Sequence, residues 1–249
     1  MLLIDANNYI KRIYHSGQDP YELFLDLLHK YSSETIEVVC DTASSRLARR
    51  AIYPDYKKGR KFGDDPVFFT IYDNIIAIAR HFKNVKVIEV IEAEADDYIM
   101  SVANSGDIVI SNDKDLWPLV DKGVKILIAG STMVDTQLIE TKFHHPDPGL
   151  IYIYKSLVGD PSDRIKGKVR FGIAAYKKLS TDDLYYIKGR LEGVEATNPE
   201  LDKLADDESV RLSWKLVNQL STKIGILQSI NTPLQDFLDE KGITLLENM

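Results

Sequence analysis

Two acidic bursts lie on either side of a short apolar run in the segment Ile91 to Asp115, IEAEADDYIMSVANSGDIVISNDKD. If the first burst is extended, Glu92, Glu94 and Asp96 point one way while Ala93 and Ala95 pack the other way. From Asp96 the spacing becomes helical, with Tyr98, Ile99 and Val102 as the apolar stripe. Asp107 to Ser111 is β-branched and reads as a buried strand. Asn112 to Asp115 then leaves its C-terminal end, where open α/β sheets place their ligands, with Asp113 and Asp115 on a shared side. Two like charges ~4 Å apart repel by ~1 kcal/mol in water and by ~4 kcal/mol at an effective dielectric of 20, so carboxylates gathered this way call for cations. An all-oxygen donor set suits a hard divalent ion such as Mg²⁺. Taken singly, each burst reads equally well as a solvated acidic helix N-terminus or a turn.

Further carboxylates tip the balance toward metal. Leu2-Leu3-Ile4 is an apolar strand ending in Asp5, and Glu37 to Cys40 is another ending in Asp41. One strand-end Asp is usually a turn or cap residue; two of them beside two acidic bursts describe a floor of ligands. The tract from Arg46 to Lys61 then changes sign: Arg46, Arg49, Arg50, Lys57, Lys58, Arg60 and Lys61 are opposed by Asp55 alone and interleaved with Tyr53 and Tyr56. Such a tract suits a phosphate backbone with bases to stack on, or else a solvated helix face. Its nearness to Asp41 favours phosphate. A second pairing of acid with base follows later, where Gly159-Asp160-Pro161-Ser162-Asp163 leads into the basic, glycine-bracketed turn from Arg164 to Gly172, whose backbone amides suit a phosphate. His144 and His145 have no third ligand at useful spacing and read as a surface loop.

The elements that must position these residues alternate. Strands at Leu2–Asp5, Glu37–Cys40, Val85–Ile91, Asp107–Ser111 and Val124–Ala129, the last with a hairpin partner at Met133–Thr136, are separated by helices such as Tyr21–Tyr31 and Val67–Phe82. This predicts an α/β fold with a mostly parallel central sheet flanked by helices. Beyond His144 the pattern is helical, and Thr181 to Met249 reads as a polar helical region with Trp214, Val217 and Leu220 as core candidates. The expected organisation is therefore an α/β core over 1–145 and a helical region over 146–249. With 249 residues and a net charge of −7 the composition is that of an ordinary globular protein. The acidic balance does not exclude nucleic acid, since a carboxylate site lowers the sum while basic patches persist. One cysteine, Cys40, sits in an apolar strand and permits no internal disulfide. No apolar stretch reaches membrane-spanning length, and a cytoplasmic protein is expected.

Together these motifs resemble the 5′ nucleases, the flap endonucleases and 5′-to-3′ exonucleases of phages and bacterial repair polymerases, over Leu2 to about Leu179. Leu3 to Asn8 is similar to the family's first metal Asp, with Arg12 at its following Arg. Asp41 with Tyr56-Lys57-Lys58-Gly59-Arg60 resembles the second Asp and the signature at the base of the helical arch, here the short segment Lys57 to Glu94. Glu94-Ala95-Asp96-Asp97, Asp113-Lys114-Asp115 and Asp160 with Asp163 match the remaining ligand motifs. Lys166 to Gly172 resembles the helix–three-turn–helix, at about 156–180, with Arg170 where the family has its middle glycine.

The resemblance implies two-metal phosphodiester hydrolysis with Mg²⁺ or Mn²⁺: Asp5, Asp41, Glu94 and Asp96 for one ion; Asp113, Asp115, Asp160 and Asp163 for the other; Asp97 behind them; and Lys57 and Arg60 at the scissile phosphate. It implies DNA contacts by Arg12, Arg46, Tyr56, Lys166, Gly167, Lys168, Arg170 and Gly172, and K⁺ held by carbonyls of the turn. The implied substrates are 5′ ends, flaps and branched duplex DNA, with RNA–DNA hybrid included, met by a monomer in the cytoplasm (the host's, for a phage-encoded chain). Two other readings are a non-catalytic branched-DNA-binding protein and a PIN-like metal-dependent ribonuclease; the filled ligand positions speak against the first and the second basic turn against the other.

Overall fold

The computed structural model describes residues 1–59, 65–218 and 220–245. Strand β1 (Leu2–Asp5) turns directly into helix α1 (Ala6–Tyr14), because the Asp5 carboxylate accepts the Asn8 amide and caps the helix it precedes. Helix α2 (Pro20–Lys30) begins at the Asp-Pro signal, with Asp19 accepting the amides of Tyr21 and Glu22. Strand β2 (Ile36–Asp41), helix α3 (Leu47–Ile52), helix α4 (Pro66–Ala79), strand β3 (Val85–Ile91), helix α5 (Ala95–Val102) and strand β4 (Ile108–Ile110) follow. A 3-10 helix at Lys114–Lys122 leads to the hairpin of β5 (Lys125–Ile128) and β6 (Thr132–Met133), then to α6 (Thr136–Phe143). The remainder comprises α7 (Ile151–Val158), α8 (Ile173–Tyr176), α9 (Thr181–Leu191), α10 (Pro199–Ala205), α11 (Glu208–Val217), β7 (Lys223–Leu227) and α12 (Leu234–Lys241).

Among the described residues the strands form one seven-stranded sheet in the order β6-β5-β4-β1-β2-β3-β7. Its inner five strands are parallel and its two edge strands antiparallel. Parallel strands covered on both faces need apolar residues on both faces. Accordingly, Leu3, Val39 and Val109 pack into one core, against α5 and the 3-10 helix, while Leu2, Ile4, Ile36 and Val38 pack into another, against α1, α2 and α4. The α/β expectation is met. In the stretch expected to form the arch, helix α4 buries Ile75, Ile76 and Ala79 in that second core and Ile78 against Leu25 and Leu238; residues 60–64, which include Arg60, lie outside the described residues.

The C-terminal region requires one correction. It is helical through α11, whose Val210, Trp214 and Val217 share a core with Leu150, Ile153 and Leu157, but Lys223–Leu227 is a strand, paired antiparallel with β3 from Val87↔Leu227 to Ile91↔Lys223. Pairing there covers the edge that β3 would otherwise expose. Only five residues long and centred on a glycine, this strand gives little period-two signal.

Between α7 and α8 the chain makes successive turns marked by left-handed residues at every third position: Arg164 (φ 62°), Gly167 (φ 64°) and Arg170 (φ 60°). Arg170, the residue standing for a glycine, keeps the glycine-like conformation. Gly167 is fixed by packing as well as by φ, since a Cβ there would sit 2.5 Å from the Gly159 nitrogen and 2.7 Å from the Leu157 carbonyl oxygen. Gly167→Ala is therefore expected to cost more than ~1 kcal/mol of stability, read as a lowered denaturation midpoint. An unchanged midpoint would show that the turn rearranges freely.

Candidate active site

Because β1, β2 and β4 are parallel neighbours, their C-terminal ends bring Asp5, Asp41 and the Ser111–Asp115 segment to one edge of the sheet. Asp5 is 6% exposed; Ser111 donates its hydroxyl to it (2.7 Å), and the same hydroxyl accepts the Asp113 amide (3.0 Å). Asp41 accepts the Asn7 side-chain amide (3.0 Å) and the Ala95 backbone amide (2.7 Å), and Asn7 in turn accepts the Tyr72 hydroxyl (2.6 Å). Asn112 is spent on structure, its amide donating to Asn8 and its side chain accepting from Ala129.

The first acidic burst does not stay extended. Glu92 takes a left-handed conformation (φ 64°) and faces outward to Lys223 (3.0 Å), so it leaves the cluster. Glu94 becomes the N-cap of α5 in a capping box with Asp97. Asp96, one residue into the helix, is turned toward the second burst, and oxygens of Asp96, Asp113 and Asp115 lie within 4.8 Å of one another. That triad joins one residue from the first expected ligand set to two from the second. Its donors are carboxylates alone, which fits a hard divalent cation.

Four of the expected ligands, Glu94, Asp115, Asp160 and Asp163, are held by buried cations. Lys57 (5% exposed) donates to Glu94 (2.6 Å) and lies 3.4 Å from Asp163. Burial by itself would lower the Lys57 pKa, but Glu94 and Asp163 hold it above its ordinary value. Burial would raise that of Glu94, but Lys57 and Arg49 bring it below the usual carboxylate range. Lys155, equally buried, donates to Asp115 and lies 2.7 Å from Asp160; against the opposing effect of burial it brings Asp160 down to about 2. Where no cation is in contact the shift is upward. Burial, then the Asp41 charge, push Asp5 up to about 7; burial, then Glu94, push Asp41 up to about 6. Burial, then Glu94, also raise Asp96 well above the ordinary range.

The expected DNA-contacting residues separate. Arg12, Lys166, Arg170 and Gly172 are exposed and Arg46 is half-buried. Lys168 forms an ion pair with Asp207. Gly167 is buried against Gly159. Tyr56 requires a correction: it is 2% exposed and donates its hydroxyl to Glu94 (2.6 Å), so it is a wall of the acidic site, unable to stack on a base. Lys57, expected at the scissile phosphate, is seated among carboxylates, because a buried ammonium needs them.

Three participants were not foreseen. Lys155 sits mid-helix in an apolar run, and its only sequence signal is a lone charge on the buried side of α7. Arg49 was read as part of a basic tract; it is 3% exposed and bound to Asp97 (2.6 and 2.8 Å) and Glu94 (3.0 Å). Ser111 looked like the last residue of a strand.

Comparison with known proteins agrees with this architecture. A family model described as 5′-3′ exonuclease, N-terminal resolvase-like domain, matches residues 1–144. The chain is 29% identical to the flap endonuclease Xni of Shewanella woodyi over 247 residues, spanning 90% of this chain and 93% of that protein. It is 30% identical to DNA polymerase I of Caldicellulosiruptor bescii over 170 residues, 63% of this chain and 20% of that one. The T5 5′-exonuclease structure with divalent zinc bound superposes with a TM-score of 0.65 at 18% identity, covering 87% of this chain and 88% of that one, a likeness of fold.

The upward shifts at Asp5 and Asp41 predict how stability depends on pH when divalent metal is absent. A folded pKa near 7 for Asp5, against 3.8 unfolded, means that the native state binds the extra proton between those values. The stability that Asp5 contributes is therefore complete below about pH 4 and is lost as pH rises toward 7, with a slope of at most ~1.4 kcal/mol per pH unit for one group. In EDTA, Asp5→Asn should remove much of this fall, so that its melting temperature exceeds that of wild type at pH 7.5 and approaches it at pH 4.5. Parallel melting curves for the two proteins across that range would refute the assignment.

Proposed function

The chain belongs to the 5′-3′ exonuclease family with the N-terminal resolvase-like domain, and we propose that it is a Mg²⁺-dependent 5′ nuclease. It hydrolyses phosphodiester bonds of DNA from 5′ ends and at 5′ flaps, for removal of primers and flaps in replication or repair. The observation that carries this reading is the convergence of Asp96, Asp113 and Asp115 oxygens at the carboxyl end of the parallel sheet, next to Lys57 and Lys155. The printed names of the relatives, flap endonuclease and 5′-3′ exonuclease, support it.

Asp96, Asp113 and Asp115 would hold one divalent ion, Mg²⁺ with Mn²⁺ as a substitute, and Asp5, Asp41, Glu94, Asp160 and Asp163 would complete the site for a pair. Bound there, such ions supply an activated water and stabilise charge on the attacking and leaving oxygens. The protein's own contribution is orientation and charge. Ser111 and Asn7 fix the rotamers of Asp5 and Asp41. Lys57 places a permanent cation beside the ligands, poised for the scissile phosphate. Lys155 holds Asp115 and Asp160 together and favours the ionised form of Asp160. Exposed Lys166 and Arg170, with Arg12 and Arg46, would hold the duplex backbone, and Lys168 would join them on release from Asp207. Turn carbonyls between 164 and 172 would take K⁺, and Arg60 would assist Lys57. RNA–DNA hybrid is a further proposed substrate, and the protein would act as a cytoplasmic monomer. Among the described residues no helix is long and apolar enough to cross a membrane.

The test is cleavage of a 5′-flap duplex, a plain duplex and single-stranded RNA, with and without Mg²⁺. The flap should be cut in Mg²⁺ alone. Asp113→Ala should lower turnover by orders of magnitude while branched-DNA binding in Ca²⁺ persists. Preferred cutting of single-stranded RNA would indicate a PIN-like ribonuclease, and near-wild-type turnover of Asp113→Ala at saturating Mg²⁺ would remove the ligand assignment.

A further inference from the structure

The Arg49 guanidinium is fully committed to hydrogen bonds. Its five N–H donors all have acceptors, drawn from two distant parts of the chain. Two go to Asp97 (2.6 and 2.8 Å) and one to Glu94 (3.0 Å). The remaining two reach the C-terminal region, Nε to the Leu216 carbonyl (2.8 Å) and one Nη to the Asn218 carbonyl (3.3 Å). Asp97 closes the circuit by accepting the Leu220 amide (2.8 Å) on the same carboxylate oxygen that Arg49 holds. Asp97 also accepts the Glu94 amide (3.0 Å), and its own amide donates to Asp96 (2.7 Å), a member of the carboxylate triad. An unbroken run of hydrogen bonds thus leads from the backbone of Leu216, Asn218 and Leu220 through Arg49 and Asp97 to Asp96.

We propose that Arg49 is a positioning residue, which joins Asp97 to the backbone of Leu216, Asn218 and Leu220 and so makes the C-terminal return segment part of the apparatus that holds Asp96 for its metal. The inference rests on the metal-dependent reading of the site. Its physical basis is that α5 presents Asp96 from its first turn, where the backbone has few intrahelical bonds of its own. The orientation of that turn is set by what grips Asp97 and Glu94. A guanidinium satisfying two carboxylates and two carbonyls in one plane fixes it in a way that an ammonium, a point charge on a flexible stem, cannot. The continuation of the same segment into β7, pinned along β3, gives the grip a rigid anchor. Loss of such an outer partner typically lowers metal affinity about 10- to 100-fold.

Reciprocity supplies a readout separate from catalysis: if Leu216, Asn218 and Leu220 help to hold Asp96, an ion bound at Asp96 must hold them in return. The experiment measures Ca²⁺ binding by calorimetry and hydrogen exchange at the Leu220 amide by NMR, for wild type, Arg49→Lys, Arg49→Met and Asp113→Ala. Each protein is first shown to be folded at the working temperature by circular dichroism. Wild type should bind Ca²⁺ in a manner abolished by Asp113→Ala, and Ca²⁺ should slow exchange at Leu220. Arg49→Lys, which keeps the charge but not the fork, should bind Ca²⁺ at least tenfold more weakly and lose that protection, and Arg49→Met should do so if it folds. Wild-type Ca²⁺ affinity in Arg49→Lys overturns the proposal, as does a Leu220 amide indifferent to Ca²⁺ in wild type. Wild-type Ca²⁺ binding that survives Asp113→Ala would instead overturn the metal reading itself, and this inference with it.

Discussion

Mutual repulsion among the carboxylates at one end of the sheet is the constraint around which this molecule is built. Asp5, Asp41, Glu94, Asp96, Asp113, Asp115, Asp160 and Asp163 converge on a partly desolvated volume, and each unscreened pair opposes folding. The chain meets this in two ways. Lys57, Lys155 and Arg49 are each about 95% buried or more and placed where they neutralise the outer members of the cluster. The inner members, Asp5, Asp41 and Asp96, have no contacting cation among the described residues and take up protons more readily than exposed carboxylates do. Buried ion pairs contribute little net stability, since desolvation offsets their attraction, but losing one partner is expensive. These three cations therefore specify the arrangement of the site more than they strengthen the fold.

Much of this could be read from the chain. Strand-end Asp5 and Asp41 are visible because an apolar run followed by a carboxylate leaves few alternatives, and parallel pairing of β1 with β2 and β4 then places them together. The Asp-Pro start of α2 and the buried Cys40 follow from equally local chemistry. The details of the first acidic burst were not legible. Period-two alternation groups Glu92 with Glu94 and Asp96, yet capping by Glu94 starts a helix in mid-burst, so Asp96 joins Asp113 and Asp115 while Glu92 turns to solvent. A capping preference won over an extended one because the first turn of α5 needs acceptors.

The cations were harder to see, for a reason that generalises. In sequence, Arg46, Arg49 and Arg50 form one basic tract; in space, helix α3 turns Arg49 inward and leaves Arg50 exposed. The inward direction is chosen by acceptors from α5 and from residues 216 and 218, over a hundred and sixty positions away for the latter pair. Nothing local signals it. Tyr56 was misjudged in the same way, since an aromatic between basic residues suits a base-stacking surface until a distant carboxylate, Glu94, is found to claim its hydroxyl. Lys155 is the inverse case, a charge in an apolar helix whose partners, Asp115 and Asp160, make its burial tolerable.

These long-range pairings change what the helical region is for. Read as a separate unit after residue 145, it would be a handle for duplex DNA attached to a self-sufficient catalytic sheet. Instead Lys155, Asp160 and Asp163 come from that region and complete the charge balance of Asp115, Lys57 and Glu94 from the sheet. Leu216, Asn218 and Leu220 then bind Arg49 and Asp97, and β7 adds to the sheet edge. The part before residue 145 alone would leave Asp115 without its cation and Lys57 without Asp163, and the helices alone would bury Lys155 with a single counter-ion. Each half supplies the charges that make the other half's burial affordable, so the seam between the two is where the chemistry has to lie.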